Sequence, residues 1–275
     1  MKSILAPIEM QSTIESVLTT ALLLGRRFDS YIEGIALAPD MSDFVAFEMN
    51  WTIEDQIALK ESADQMRRQF EAFMTRNAIP ALIEGASGLS YGFAGDTTFR
   101  DGQAASHARV FDVTVLGRPD TGPGGHRMAT AEAALFESGR PVLLAPPESP
   151  KTLGETIIIA WNQSMESARA TAFAMPLLLR SKKVFILTFE AHNVEGPSAE
   201  RLAQMLAGHG VAVEVVRRLG KKRAAGVAYL EDGASLGGDL MIKGAYTQSR
   251  LRQMIFGGAT AHILGNARMP VLMAN

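Results

Sequence analysis

Gly238-Asp239-Leu240-Met241-Ile242-Lys243-Gly244-Ala245-Tyr246-Thr247 is followed by residues 248–256, by Gly257-Gly258-Ala259-Thr260, and after Gly265-Asn266 by Met269-Pro270-Val271-Leu272-Met273. Residues 239–244 form a short apolar run closed by glycine, the pattern of a buried parallel strand that stops at a turn. The glycine pair opens a segment with apolar residues Ala261, Ile263 and Leu264, and Gly265-Asn266 ends it as a helix ends. The stretch therefore reads strand, glycine loop, helix, strand. Glycines ahead of a helix let backbone N–H groups approach a ligand closely, and the helix start carries partial positive charge. This order favours a bound anion, with phosphate the first candidate.

The same order recurs earlier in the chain. Phe111-Asp112-Val113-Thr114-Val115-Leu116-Gly117 matches 238–244, and Arg140-Pro141-Val142-Leu143-Leu144-Ala145 matches Met269-Pro270-Val271-Leu272-Met273-Ala274. Ile4-Leu5-Ala6 matches Ile158-Ile159-Ala160, which sets Glu9 against Trp161-Asn162. Three strands in the same order at a nearly constant offset point to a tandem duplication. The run Pro146-Pro147-Glu148-Ser149-Pro150 continues neither a strand nor a helix and marks the boundary, giving domains over 1–147 and 154–275.

Within the first half, strands are expected over 2–8, 31–37, 81–84, 111–116 and 141–145, with helices after Ile14 and through Met41 to Arg76. The glycine-rich residues 85–102 read as loop, with a short helix toward Arg109. In the second half, strands over 155–160, 183–189 and 211–216 alternate with helices over 165–179, 198–208 and 224–233. This alternation implies an α/β fold of two tandem doubly wound parallel five-stranded sheets with helices on both faces. Ligands of such sheets sit beyond the carboxyl ends of the strands where the strand order reverses. Asn162 and Gly244 would then flank one crevice, and Glu9 and Gly117 its duplicate.

The composition excludes several classes of function. With no cysteine there is no disulfide framework, thiol chemistry or cysteine zinc site. The five histidines are dispersed without ligand spacing, so no metal site is expected. The apolar run before Pro7 and Glu9 is too short for a signal peptide, and no stretch approaches the roughly 20 apolar residues that span a bilayer. A cytoplasmic protein without membrane attachment is expected. The net charge of −2 hides an asymmetry: residues 1–150 hold 12 Lys and Arg against 20 Asp and Glu, whereas residues 151–275 hold 15 against 9. The second half is the better anion binder, although opposite charge can also simply attract one half to the other. Basic residues are scattered apart from Lys221-Lys222-Arg223 and lack interleaved aromatics, so no nucleic-acid partner is expected. No Walker lysine motif, Ser-His-Asp arrangement or carboxylate pair is visible, which speaks against a turnover enzyme.

The Ile-Leu-Ala-Pro-Ile-Glu start, the Ile-Ile-Ile-Ala-Trp-Asn restart and the paired endings resemble the universal stress protein family in its tandem form. The resemblance implies an adenine nucleotide alpha hydrolase-like, Rossmann-like fold. It also implies a regulatory stress-response role, with ATP and Mg bound by the pattern Gly, two residues, Gly, nine residues, Gly and Ser or Thr. Gly244 matches the first glycine and Gly257 the third; Thr247 stands where the second would be, Gly258 replaces the hydroxyl residue, and Thr260 falls where a second hydroxyl contact is often found. Asn162 stands where the family usually has an aspartate beside the nucleoside, and its amide can both donate and accept. Trp161 is a candidate for stacking on a base and Lys243 for reaching a phosphate. Each has a plainer reading. Gly244 and Gly257 can be turn glycines, Trp161 can cover core, Lys243 can reach solvent, and Arg250 and Arg252 can be loop charges.

The first half departs further from the pattern. Arg118-Pro119-Asp120 and Thr121-Gly122-Pro123-Gly124-Gly125-His126 do not reproduce the spacing, and Asp120 would bring negative charge toward a phosphate. This domain is expected to have lost its nucleotide site. The resemblance further implies an intrachain pseudo-dimer formed through strands 141–145 and 270–274, with a homodimer of chains beyond it. Two alternatives to a regulatory nucleotide binder are a slow ATPase or phosphotransferase and a nucleotide-free interaction module.

Overall fold

The computed structural model of the chain describes residues 1–9, 13–38, 53–83, 87–119, 127–219, 223–246 and 258–275. By internal contacts it divides into two units, Met1–Arg140 and Pro141–Asn275.

In the first unit, β1 (Ser3–Ile8), α1 (Ile14–Phe28), β2 (Tyr31–Leu37), α2 (Ile53–Arg76), β3 (Ser90–Phe99), α3 (Asp101–His107), β4 (Val113–Gly117) and α4 (Met128–Glu137) alternate along the chain. The strands lie in the order β3-β2-β1-β4, all parallel. β1 reads as an unbroken apolar run because it lies between two strands, and Ile4, Leu5, Ala6 and Ile8 are buried. Pro7 is tolerated there because β4 pairs β1 only at Ile4 and Leu5, short of the residue with no N–H to give. On one side of the sheet, Leu5, Ile35 and Leu37 pack on Ala104, Ala108 and Phe111.

The structure corrects two expectations here. Ala81 makes only an isolated bridge to Tyr91, and Glu84 lies outside the described residues. The strand is instead Ser90–Phe99, inside the stretch read as loop. Glycines on β2 and β3 leave room for rings of the partner strand. A Cβ on Gly92 would meet the Tyr31 hydroxyl at 2.3 Å, and one on Gly34 would meet the Phe93 ring at 2.7 Å. Phe93 in turn packs on Phe70 of α2, with ring centroids 5.7 Å apart.

The second unit holds β5 (Val142–Ala145), β6 (Thr156–Ala160), α5 (Met165–Phe173), α6 (Met175–Leu178), β7 (Lys183–Phe189), α7 (Ala199–Gly208), β8 (Val213–Arg218), α8 (Ala225–Ser235), β9 (Leu240–Gly244), α9 (Ala259–Asn266) and β10 (Val271–Ala274). Five strands are parallel in the order β8-β7-β6-β9-β10, and β5 joins β10 antiparallel, with Leu143 opposite Leu272. The single helix expected over 165–179 breaks at Ala174, where Pro176 restarts it as α6.

The duplication is visible in one repeated device. Asp239, just ahead of β9, accepts from the amides of Glu155 and Thr156 at 3.0 and 2.8 Å as β6 begins. Asp112, just ahead of β4, accepts from the amides of Lys2 and Ser3 as β1 begins. In each unit this aspartate joins the first parallel strand to the fourth.

Candidate functional site

The chain order of the five parallel strands in the second unit runs outward from the β6–β9 pair in opposite directions, so the strand order reverses between them. Ala160 lies beside Lys243 in that register. Beyond their carboxyl ends opens a cavity of about 310 Å³, lined by Ala160, Asn162, residues 191–194, Ala225, Tyr229, Lys243, Gly258, Ala259 and Thr260. Asn162, Lys243, Gly258 and Thr260, four of the residues picked out by pattern, therefore share one space. Thr247 and Gly257 lie outside the described residues, as do Arg250 and Arg252.

Successive residues of a strand face opposite sides of the sheet, which separates the roles of Lys243 and Gly244. Lys243 points toward α8 and α9 and enters the cavity, while Gly244 faces α5. A Cβ on Gly244 would come within 2.4 Å of the Ser167 amide nitrogen and 2.5 Å of the Glu166 carbonyl carbon. Close approach of helix to strand accounts for this glycine, and it is absent from the cavity lining.

Lys243 is 6% exposed, and its Nζ donates to the Gly244 carbonyl at 2.7 Å. Burial pulls its pKa down from the ordinary lysine value to about 8, partly opposed by the negative charge of Glu166. Tyr229 covers the cavity wall with its ring edge-on to Phe189 and its hydroxyl donating to the Trp161 carbonyl at 3.1 Å. Burial also pushes the Tyr229 phenol upward, so it stays neutral.

The start of α9 supplies backbone donors to this space. Gly258 is its N-cap, in extended conformation with φ −67° and with no side chain to fill the first-turn N–H groups. Thr260, expected to meet a ligand directly, accepts from the Tyr246 amide at 3.1 Å and so ties the residue after β9 to the helix. Tyr246 itself sits at φ +58°, a left-handed conformation unusual for an aromatic residue. Across the cavity, the Asn162 carbonyl accepts from the Val194 amide at 3.0 Å, which holds residues 191–194 against the end of β6.

Trp161 is elsewhere. It is 2% exposed, its indole N–H donates to the Pro197 carbonyl at 3.0 Å, and it borders a separate groove with Met175, Leu202 and Met205. Residues 191–194 and Tyr229 carry no glycine or charge pattern and were not singled out in the sequence. Only the aromatic inside the helical stretch 224–233 could have drawn attention to Tyr229.

These donors suit an anion with a compact polar body. Lys243 and the α9 start offer positive charge, Asn162 lines the same space, and Ala160, Val194 and Ala225 supply apolar wall. Among the described residues no cluster of three or more His, Cys, Asp or Glu is placed to hold a metal ion. No described helix is long and apolar enough to cross a membrane.

Comparison with known proteins finds the same resemblance that the motifs carry. A universal stress protein of Synechocystis is 30% identical over 169 residues, covering 59% of this chain and 57% of its own. The chain thus spans less than two thirds of that relative. The structure of a universal stress protein from Archaeoglobus fulgidus matches with a TM-score of 0.69 at 14% identity, covering 99% of this chain and 96% of its own. A protein of unknown function from Pseudomonas aeruginosa PAO1 matches with a TM-score of 0.54 at 14% identity, over 99% of this chain and 92% of its own. These structures share the doubly wound α/β fold. No family model matches the chain.

Proposed function

We propose that this chain is a tandem universal stress protein whose second domain binds an adenine nucleotide, ATP with Mg, as a regulatory ligand rather than a substrate for turnover. The observation that carries the reading is the buried Lys243 amine sharing one cavity with the start of α9, at the point where the strand order reverses. The Lys243 ammonium retains donors beyond the one given to Gly244, and the α9 start adds backbone N–H groups, so phosphate oxygens have partners. Asn162 and the apolar wall stand where a nucleoside would lie. Magnesium would be held by the phosphates, since the described lining holds no carboxylate.

Calorimetry with ATP and Mg on the whole chain, alongside adenosine and a phosphate-release assay, tests this. Expected are a dissociation constant at or below roughly 1 mM, weaker binding of adenosine, and no release above background. Release that tracks binding would replace this reading with a slow ATPase, and no heat with ATP at any soluble concentration would sink both.

A further inference from the structure

Lys243 differs from the chain's other described lysines in its surroundings. Lys182 and Lys183 are exposed, 2.9 Å from Glu155 and 3.9 Å from Glu214 respectively. Lys243 rises from an interior strand, flanked in register by Ala160 and Met273, into a cavity walled by Ala160, Ala225 and the Tyr229 ring. Among the described residues its amine has one hydrogen bond, to its neighbour's carbonyl, and no carboxylate within ion-pair distance. The titratable groups around it are Glu166 on the α5 side and Tyr229 and His192 in the cavity; the Tyr229 hydroxyl is engaged by Trp161, and a His192 ring nitrogen by the Arg223 carbonyl.

We propose that Lys243 is a reactive amine that forms an imine with a small phosphorylated aldehyde or ketone held in this cavity. An amine kept from water, with no carboxylate among the described residues within ion-pair distance, is closer to its neutral, nucleophilic form, and its pKa of about 8 agrees. A phosphate on the same molecule has its place at the start of α9, an eight-residue helix whose Ala259 and Thr260 line the cavity beside the N-cap Gly258. A volume of about 310 Å³ is enough for such a molecule.

The chemistry balances without a further reactant. The nitrogen lone pair attacks the carbonyl carbon, a C–N bond forms as the C=O π bond opens, and one nitrogen proton passes to oxygen. The hydroxyl then leaves with the second nitrogen proton as water, giving C=N with no change of oxidation state. This inference shares the cavity with the nucleotide reading but not its ligand, so either can fail alone.

The test uses the whole chain with pyridoxal 5′-phosphate near neutral pH, borohydride reduction and peptide mass spectrometry, so that every lysine serves as an internal control. Lys243 should be labelled at least about tenfold faster than Lys182 or Lys183, as expected for an amine with a larger neutral fraction. Pyridoxal without the phosphate should label it more slowly, and Lys243→Arg should remove the fast label while circular dichroism is unchanged. Labelling of Lys243 no faster than of Lys182 overturns the proposal, as does equal labelling by pyridoxal. Because the decisive comparison is made within the unaltered protein, a misfolded variant does not blunt it. ATP binding measured on the same sample reports separately on the nucleotide reading.

Discussion

Gly244 and Ser167 are in backbone contact: a Cβ at position 244 would lie 2.4 Å from the Ser167 amide nitrogen. Backbone cannot step aside as a flexible side chain can. Gly244→Ala should therefore push α5 off β9 and cost about 3 kcal/mol in urea unfolding. The loss should be the same with and without ATP. A change that leaves the urea midpoint in place but abolishes ATP binding would return Gly244 to the ligand.

Lys243→Met should stabilise the protein at neutral pH. The folded-state pKa of about 8 lies below the ordinary lysine value of 10.5, so between these pH values the unfolded chain binds more protons than the folded one. Wild-type stability, taken relative to the variant, should rise as pH climbs through that window, and be lowest below it. The gap corresponds to about 3 kcal/mol at most. Met fills similar space without charge, so this variant should unfold at higher urea at pH 7 while losing affinity for ATP. Equal pH profiles for the two proteins would show that the amine is not held as described.

Asp112 should be an acid-sensitive point of the first unit. Burial works to raise the Asp112 pKa, but the Lys2 and Ser3 amides, with the charges of the N-terminus and Arg140, outweigh it and hold the carboxyl below its usual value. A depressed carboxylate contributes stability above its unfolded pKa and loses it as pH falls through the folded one. Asp112→Asn should cost about 2 kcal/mol at pH 7, the range for hydrogen bonds to a charged group, with the difference from wild type shrinking at low pH. A cost that stays constant to acid pH would contradict the assignment.

The repeat of these aspartates was readable in the sequence, since Asp112 and Asp239 stand at the same place before matching strands. Their role was not, because it depends on amides more than eighty residues away. The buried strands were legible for a simple reason: a strand covered on both faces is apolar throughout, as β1 and β6 are. β3 was missed because it lies at the sheet edge and carries Gly92 and Gly95. Glycine there looks like loop until the Tyr31 ring of the neighbouring strand is known to lie against Gly92. At the site, Lys243 and Gly244 were found by motif, but the motif cannot say which face of a strand each one serves. That division follows from the pleat and from α5 packing on one side only.

At the corresponding place in the first unit charged side chains pair with one another, and on the proposed function this predicts the stoichiometry. Beyond the end of β1, Arg127 reaches Asp101 at 2.8 Å and Glu9 at 3.7 Å. The Thr130 hydroxyl, in the first turn of α4, lies 2.7 Å from Asp101 and 3.3 Å from Glu9. Two carboxylates thus stand near the helix start, where the second unit has an open cavity and an amine. A phosphate arriving there would meet Glu9, which is nearly buried, and would have to displace Arg127 from its partners. Calorimetry should accordingly find one nucleotide per chain, and Lys243→Met should remove it without exposing a second. Arg127→Met should remove the guanidinium that bridges Glu9 and Asp101 and cost about 2 kcal/mol, less than for a fully buried pair because Arg127 keeps some contact with solvent. Two equivalents of ATP per chain, or one that survives Lys243→Met, would place nucleotide binding in the first unit and overturn this account of its charges.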